Sequence, residues 1–322
     1  MEKDANYKKL INWFSSSDNE IINLVSHPFY DLKLISLFLK NQFIEKSRVL
    51  YITENEEYVL KQFIKYGVNY NELITFTTPF STIDNKIKTD LIIFDDINGK
   101  STIEDSSIIP MLKGVSCRKK IILSMKELVK YNKMHIMNDK LTYFKEPRSI
   151  QTKIDLNNDM PHVIFQFIEW FMLNKSKVIL ITKDLFSSKS IYGYMKKYVS
   201  LSPKLNNLFI YTDYKSFKDF DNNAKADSYV YITSKVFLEE FQDIIYKDKK
   251  HMENFNILVF FASDKAFNYK NLLHICGMYN FLKDCKNEVI FVSNEENNDI
   301  LTAKKISRNY NKKIWEWGLR KY

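Results

Sequence analysis

Two adjacent carboxylates, Asp95 and Asp96, follow a continuous apolar run at residues 91–94. A buried strand that ends in paired acids is typical of sites that bind a magnesium nucleotide, where one acid holds the metal and the other polarises water. A strand that ends in a solvated Asp-Asp turn gives the same pattern. On these residues alone, both the nucleotide-site and the structural interpretation stay open.

A second candidate site is the basic segment at residues 300–322. Its seven Lys and Arg residues against one acid, Glu316, give +6 of the chain's formal net charge of +9. Basic residues interleaved with aromatic residues suit single-stranded nucleic acid, through phosphate pairing and base stacking. The candidate phosphate contacts are Lys304, Lys305 and Lys312. The alternative is a helix that packs Ile306, Tyr310, Ile314 and Trp317 inward and keeps its lysines as an ordinary solvated face.

Small polar residues recur where apolar runs end. A hydroxyl group at the carboxyl end of a parallel strand can contact a phosphate, because ligands bind beyond those ends in open sheets. Ser and Thr also N-cap the following helix, which is the simpler explanation for any single member. The ten positions are Ser26, Thr53, Thr77, Asp95, Ser124, Thr182, Thr212, Thr233, Ser263 and Ser293.

The elements that would position these residues are short strands alternating with helices. The apolar runs are continuous rather than alternating, which is typical of central strands in a parallel sheet buried on both faces. Segments with helical spacing lie between them, such as 32–43, 163–171 and 236–244, so the fold class is α/β. The ten predicted strands are 21–25, 49–52, 73–76, 91–94, 121–123, 178–181, 208–211, 229–232, 257–261 and 289–292.

Five predicted strands in each half indicate two similar domains in tandem. The polar stretch 145–161, bracketed by Pro147 and Pro161, has the composition of a linker. We therefore expect domain 1 at residues 1–147 and domain 2 at residues 148–322.

Composition excludes several kinds of site. The chain has six glycines, no two within ten residues of each other, so a glycine-rich phosphate loop is absent. The three cysteines form no CxxC pair and the five histidines form no HExxH motif, so we expect neither a disulfide scaffold nor a catalytic metal. No apolar run reaches the ~18 residues of a membrane span and the N-terminus lacks a signal-peptide core, so the expected location is the cytoplasm.

The order of segments resembles the superfamily 2 helicases, most of all the late-competence DNA-uptake ATPase ComFA and the primosomal helicase PriA. The similarity runs over roughly residues 20–320. It implies two tandem RecA-like domains with mostly parallel sheets, and DNA contacts from Thr53, Thr77, Thr182 and Thr233. The segments that carry it are 48–53 (a "TP" strand), 74–78 ("ATTHQLL"), 91–98 ("DEVD"), 121–124 ("LTAT"), 177–183 ("VLLFVPT"), 229–234 ("LVTTT"), 272–277 ("LVQIAG") and 287–291 ("GEVIF").

The departures from that family fall on its catalytic groups. Its phosphate loop would align with residues 27–31, where Tyr30 and Asp31 replace the phosphate-binding Lys and the magnesium-binding hydroxyl. A tyrosine cannot neutralise phosphate charge, and an aspartate repels it. The arginine finger, typically worth ~10³–10⁵ in rate, would fall on 277–281, where there is no arginine. A nucleotide site made of Ser26, Tyr30, Asp31, Asp95 and Asp96 would therefore be vestigial.

These observations leave three functions open. The first is a helicase-like protein with a degenerate ATP site that binds single-stranded DNA, or docks on a DNA-uptake or repair assembly, without hydrolysis. The second is an active ATP-dependent DNA translocase with an unorthodox phosphate site, which alone would need Mg-ATP. The third is a scaffold that binds neither nucleotide nor DNA.

Overall fold

The computed structural model describes residues 2–17, 20–28, 30–42, 48–79, 89–97, 103–136, 144–199, 210–211, 228–235, 255–277 and 287–319. The chain divides into two compact units, Met1–Leu141 and Thr142–Tyr322. Each unit is built around its own six-stranded sheet.

Unit 1 alternates strands and helices around a parallel sheet in the order β3-β2-β4-β5-β1-β6. β2 is buried along its length, and β4 and β5 are buried after their first two residues, with mostly apolar side chains on both faces. The elements are α1 (Glu2–Ser15), β1 (Ile21–Val25), α2 (Lys33–Gln42), β2 (Val49–Ile52), α3 (Glu56–Tyr66), α4 (Tyr70–Leu73), β3 (Ile74–Thr77), β4 (Thr89–Asp95), α5 (Asp105–Lys113), β5 (Cys117–Ser124) and β6 (Lys133–His135).

Two charged side chains are buried at the start of β5. The Lys119 ammonium lies over the Trp13 ring of α1, 5.0 Å from its centroid. The Lys120 ammonium forms an ion pair with Glu20. Buried charges are tolerated when they are paired or lie on an aromatic face, so α1 and Glu20 make these two lysines compatible with the core.

Unit 2 has a second parallel sheet, in the order β7-β12-β11-β8-β10-β9. Helices α6 and α7 pack into one apolar cluster on this sheet with side chains from β8, β10, β11 and β12. The elements are β7 (Arg148–Gln151), α6 (His162–Leu173), β8 (Lys177–Thr182), α7 (Leu185–Val199), β9 (Ile210–Tyr211), β10 (Val230–Ser234), β11 (Phe255–Phe260), α8 (Tyr269–Gly277), β12 (Val289–Ser293) and α9 (Asn298–Leu319).

The predicted fold class is confirmed: both units are α/β with mostly parallel sheets, as expected for tandem RecA-like domains. All ten predicted strands are present, with ends that shift by up to four residues where described. Two edge strands, β6 and β7, were not predicted because they are short and largely polar. β7 lies inside the stretch 145–161, which is therefore not a plain linker, since β7 pairs with β12.

Part of the predicted helical spacing cannot be compared with the structure, because Phe43 and the whole of 236–244 lie outside the described residues. Among the helices that are described, none is both long and apolar enough to cross a membrane. The most apolar of them, α6, has 12 residues, whereas a transmembrane helix needs ~20.

Candidate functional site

Ser26, Asp95 and Ser124, three of the ten strand-end positions, lie together at the carboxyl edge of the unit 1 sheet. Val25 is in register with Ser124, and Asp95 with Leu123. The backbone N–H of Ser26 donates to the Ser124 carbonyl at 2.9 Å, and the N–H of Asp96 donates to the Leu123 carbonyl at 2.9 Å. The three strands β1, β5 and β4 therefore end side by side, where a parallel sheet places its ligands.

The Asp95 carboxylate makes its hydrogen bonds inside the protein. Its Oδ2 accepts from the Tyr51 hydroxyl of the neighbouring strand at 3.0 Å, and its Oδ1 accepts from the Ile97 N–H at 3.0 Å. The side chain is 2% exposed, and Asp96 beside it is equally buried. Burial, and then the charge of Asp95, raise the pKa of Tyr51. Each oxygen of this carboxylate is therefore engaged in a hydrogen bond within the protein.

Tyr30 and Asp31, where the resemblance places the phosphate loop, lie just before helix α2. Tyr30 is buried, and its carbonyl accepts from the Tyr58 hydroxyl at 3.0 Å. Asp31 accepts from the Lys33 N–H through Oδ1 at 3.0 Å, as an acid at the start of helix α2. Its Oδ2 accepts from the Tyr66 hydroxyl at 2.6 Å and from the Lys65 ammonium at 3.1 Å. Three side chains of α3, Tyr58, Lys65 and Tyr66, thus form hydrogen bonds with the two residues before α2.

Capping residues fix where α3 begins and ends, and so which of its side chains face residues 30 and 31. Asn55 caps the helix by accepting from the Tyr58 N–H at 3.1 Å. The helix stops at Gly67, whose φ of 68° is left-handed, and the Gly67 and Val68 N–H groups bond back to the last turn. Tyr58 and Lys65 are seven residues apart, which places them on one face of the helix, with Tyr66 next to Lys65.

His27 precedes this loop and is buried. Its Nδ1 lies 2.5 Å from the Pro28 carbonyl, so the imidazole donates there, because a carbonyl only accepts. Burial lowers the pKa of His27 to about 4. The imidazole is therefore neutral at pH 7 and serves the loop structure.

The strand-end threonines of both sheets have local partners. Thr53 accepts from the Asn55 N–H at 3.1 Å, while Thr77, on the adjacent strand, is partly exposed. The Thr182 hydroxyl lies 2.6 Å from that of Ser188 and 2.9 Å from the Asp184 carbonyl, and the Thr233 hydroxyl donates to the Ser234 carbonyl at 3.3 Å. Thr53, Thr182 and Thr233 are buried and bonded to local groups. The helices that follow Thr53 and Thr182 are capped by Asn55 and Asp184 instead, so the capping explanation does not hold for these two threonines.

The helix α9 presents one exposed stripe, which we call the α9 stripe: Leu301, Lys305, Arg308, Lys312 and Trp315. The intervals of four and three residues keep all five side chains on one face of the helix. Arg308 is 73% and Lys312 74% exposed, and Trp315 is 59% exposed. The acids near the stripe contact it weakly, with Glu146 at 3.6 Å from Arg308 and Glu316 at 4.0 Å from Lys312.

Lys304 and the inner side of α9 have structural contacts. The Lys304 ammonium lies 2.7 Å from Glu296, and it is therefore engaged within unit 2. Ile314 is buried, Tyr310 packs against Phe144 with ring centroids 5.7 Å apart, and Asn311 bonds the Phe144 backbone at 2.6 and 2.8 Å. The predicted core-facing stripe is thus present at these positions, although the Trp317 side chain lies outside the described residues.

Sequence reasoning assigned no role to Tyr58 and Tyr66, and it counted Arg308 and Trp315 within the basic, aromatic segment without choosing them as contacts. The tyrosines could not be found because their partners Tyr30 and Asp31 are about thirty residues away in the chain. The interval of seven residues from Arg308 to Trp315 was visible, but which face of α9 is exposed depends on Phe144.

No model of a protein family matches the chain, and no curated protein matches it. Among solved structures it resembles the helicase Lhr of Mycobacterium smegmatis bound to single-stranded DNA and AMP-PNP, at 9% identity and a TM-score of 0.46, over 97% of this chain and 48% of Lhr. It also resembles the Escherichia coli DEAH/RHA helicase HrpB, at 9% identity and a TM-score of 0.48, over 93% of this chain and 43% of HrpB.

A further similar structure is the NS3-like helicase from Alongshan virus, at 9% identity and a TM-score of 0.47, over 88% of this chain and 74% of that one. The chain spans about half the length of Lhr and HrpB. These three solved structures are all helicases, and each is similar to the chain at 9% sequence identity.

Proposed function

We propose that the chain is a helicase-like protein that binds single-stranded DNA along the α9 stripe and neither binds nor hydrolyses Mg-ATP. The observation that carries the binding function is the stripe itself, in which three cations and an exposed tryptophan share one helix face. The loss of hydrolysis is supported separately, by the internal bonds of Asp31 and Asp95.

The α9 stripe has the two chemistries that a single strand needs. Lys305, Arg308 and Lys312 span two turns of helix, or about 10 Å, and can pair with successive phosphates. Trp315 is 59% exposed, and stacking of a base on an aromatic side chain is worth ~1–3 kcal/mol per base. Neither interaction reads sequence, so binding is expected to tolerate any sequence and to weaken steeply with salt.

The loop before α2 supports the absence of nucleotide binding. A phosphate needs N–H groups and a cation, and the loop instead presents Tyr30 and the carboxylate of Asp31. One nearby cation, Lys65, already forms an ion pair with Asp31. Asp95 supports the same interpretation less directly, because it is buried and already accepts hydrogen bonds from the Tyr51 hydroxyl and the Ile97 N–H.

The test is the salt dependence of binding to a fluorescently labelled oligo-dT strand, measured by anisotropy. Lys305→Gln, Arg308→Gln and Lys312→Gln combined should flatten the slope of log K against log salt by roughly 0.7 per lost contact, or about 2 in all. Lys304→Gln is the matched control: it removes a cation from the same helix that is engaged with Glu296, and it should leave the slope unchanged.

Two results would contradict the proposal. Wild-type protein that does not bind the strand at ~50 mM salt, where phosphate contacts are strongest, would favour the scaffold function. A triple variant that binds with an unchanged slope would show that α9 is only a packing helix.

A further inference from the structure

The helix α7 contains a glycine, Gly193, that its packing does not explain. A glycine inside a helix is destabilising relative to alanine, because its backbone loses more freedom on folding. Gly193 is exposed, its φ is not positive, and no atom comes within 4 Å of the place that a Cβ would occupy. Among the described residues, then, no neighbour requires a glycine there. The missing side chain leaves the helix backbone open to close approach by a ligand, which is one of the uses of glycine.

The residues around Gly193 form one exposed face, which we call the α7 face: Phe186, Lys189, Gly193 and Lys196. The intervals of three, four and three residues keep all four on one side of the helix. Ser188, Ile191 and Met195 are buried on the opposite side. The solvent side of α7 therefore combines an aromatic ring, two cations and an open length of backbone.

The α7 face carries positive charge that no acid of the helix balances. None of the fifteen residues of α7 is acidic. Lys189 and Lys196 are both exposed, and neither forms an ion pair with an acid among the described residues. The helix dipole favours cations in the last turn, which accounts for Lys196 but not for Lys189 in the second turn. A polyanion is the ligand that complements this charge.

Phe186 lies at the end of the α7 face that meets the carboxyl edge of the sheet. β8 ends at Thr182 and α7 begins at Leu185, so the first turn of α7 lies where a parallel sheet binds its ligands. Phe186 is 76% exposed at this edge. Asp184 accepts from the Ser187 N–H at 2.7 Å and so caps the helix. A carboxylate already holds the helix N-terminus, which leaves the two lysines as the groups for an anion.

We propose that the α7 face is a second contact surface for single-stranded DNA, separate from the α9 stripe. This inference rests on the proposed function and adds a second helix to the DNA contacts. A base stacks on Phe186, and phosphates pair with Lys189 and Lys196, which lie about 10 Å apart along the helix axis. The strand passes close to the backbone at Gly193. Phosphate pairing and stacking on aromatic rings are the interactions that sequence-tolerant single-strand binding uses.

An anionic lipid surface is the competing partner for a basic helix with an exposed phenylalanine. A helix that lies in a membrane interface needs a continuous apolar face. Phe186 is the one apolar side chain of the α7 face, and the positions that follow it along this side hold lysines and a glycine. The composition of the face therefore suits a strand that offers a base and several phosphates better than it suits a layer of acyl chains.

Binding of the full chain to a labelled oligo-dT strand, measured by anisotropy from 50 to 200 mM salt, tests the proposal. Lys189→Gln combined with Lys196→Gln should flatten the slope of log K against log salt by roughly 1.4, at about 0.7 per lost contact. Phe186→Ala should lower the affinity roughly 5-fold to 150-fold at an unchanged slope. Lys61→Gln with Lys113→Gln is the control of equal charge, on exposed sites of unit 1 helices, and should keep the wild-type slope.

Gly193→Gln separates close approach of the strand from ordinary helix packing. Glutamine is a better helix former than glycine, so the urea midpoint of this variant should rise. Its side chain should hold the strand away from the helix and lower the affinity roughly 5-fold or more, the low end for one lost stacking contact. A variant that is more stable and binds with wild-type affinity overturns the close approach at Gly193.

The outcomes separate this inference from the proposed function. A wild-type slope in the α7 double variant, beside a flattened slope in the α9 triple variant, overturns the α7 surface alone. The reverse result overturns the α9 stripe and supports the α7 face. Wild-type protein that binds no strand overturns both. Binding to vesicles of phosphatidylcholine and phosphatidylserine that Phe186→Ala abolishes, while DNA binding is unaffected, assigns the face to lipid and overturns the proposal.

Discussion

The Tyr51 hydroxyl donates a 3.0 Å hydrogen bond to Oδ2 of Asp95, the acid whose sequence position best suits magnesium. The two residues lie on adjacent strands, with Ile52 in register with Phe94. The Asp95 carboxylate lies at the edge of the sheet where ligands bind, but this bond engages it with a core tyrosine. Its strength and its consequences for nucleotide binding can be measured separately.

Removing the Tyr51 hydroxyl should destabilise the protein. Tyr51→Phe leaves a buried carboxylate oxygen without its donor, which costs ~1–3 kcal/mol. Tyr58→Phe is the matched control, because its hydroxyl bonds a backbone carbonyl rather than a carboxylate, and its cost should be smaller, ~0.5–1.5 kcal/mol. Urea denaturation measures both. Equal losses, or no loss in Tyr51→Phe, would contradict the role assigned to this bond.

Mg-ATP should not stabilise the protein or be turned over. A ligand at one hundred times its dissociation constant adds ~2.7 kcal/mol to stability, and we expect no such shift in a thermal melt. We also expect no phosphate release, with or without single-stranded DNA. Turnover on the order of 1 per second that disappears in Asp95→Ala would restore the active-translocase function.

Acidification should destabilise the protein through His27. The pKa of His27 is about 4 in the folded protein and 6.5 when unperturbed, so the unfolded chain takes up the proton first as the pH falls. Stability from this group is complete above pH 6.5 and declines toward pH 4, by about 2 kcal/mol between pH 7 and pH 5. Denaturation midpoints across that range should show less decline in His27→Asn, whose amide retains a donor for the Pro28 carbonyl.

Trp315 should contribute to DNA binding in a manner that salt does not change. Trp315→Ala removes a stacking surface worth ~1–3 kcal/mol, or roughly 5-fold to 150-fold in affinity. The salt slope should stay at the wild-type value, because no phosphate contact is lost. Leu301→Ala, at the other end of the α9 stripe, is the control and should bind as the wild type does. A changed slope in Trp315→Ala would indicate that α9 itself had been disturbed.

Two glycine substitutions should act in opposite directions. Gly67 ends α3 with a φ of 68°, so Gly67→Ala strains the backbone and should cost ~1 kcal/mol. Gly193 lies inside α7, and no atom comes within 4 Å of the place that a Cβ would occupy there, so Gly193→Ala should add ~0.4–1 kcal/mol. Chemical denaturation gives both signs, and a neutral Gly67→Ala would mean that α3 ends without help from the glycine.

The sequence predicts the central strands well because apolar residues buried on both faces leave an unmistakable run, as at Leu91–Phe94. It fails at β7, since the four residues Arg148–Gln151 include one apolar side chain and become a strand only by pairing with β12. The same limit applies to the sites. The position of Asp95 follows from its strand, but its hydrogen bond depends on Tyr51, which lies 44 residues earlier.

For α9, the sequence shows that cations are present but does not distinguish their environments. Lys304 and Lys305 are neighbours in the chain, yet only Lys304 reaches the Glu296 carboxylate. That pairing depends on where the chain before α9 lies, which no local pattern encodes. Arg308, by contrast, shares a helix face with Lys305 and Lys312 by helical spacing alone.

The lysines buried in β5 determine where an independently expressed unit 1 must begin. A fragment that starts at β1 would lack Trp13, whose ring contacts the Lys119 ammonium, and Glu20, which forms an ion pair with Lys120. The buried Lys120 ammonium would then lose its carboxylate partner and the Lys119 ammonium its contact with the Trp13 ring, and breaking a buried ion pair costs several kcal/mol. Helix α1 and Glu20 therefore belong to the smallest piece of unit 1 that can fold. A truncation that removes them should destabilise the unit 1 sheet.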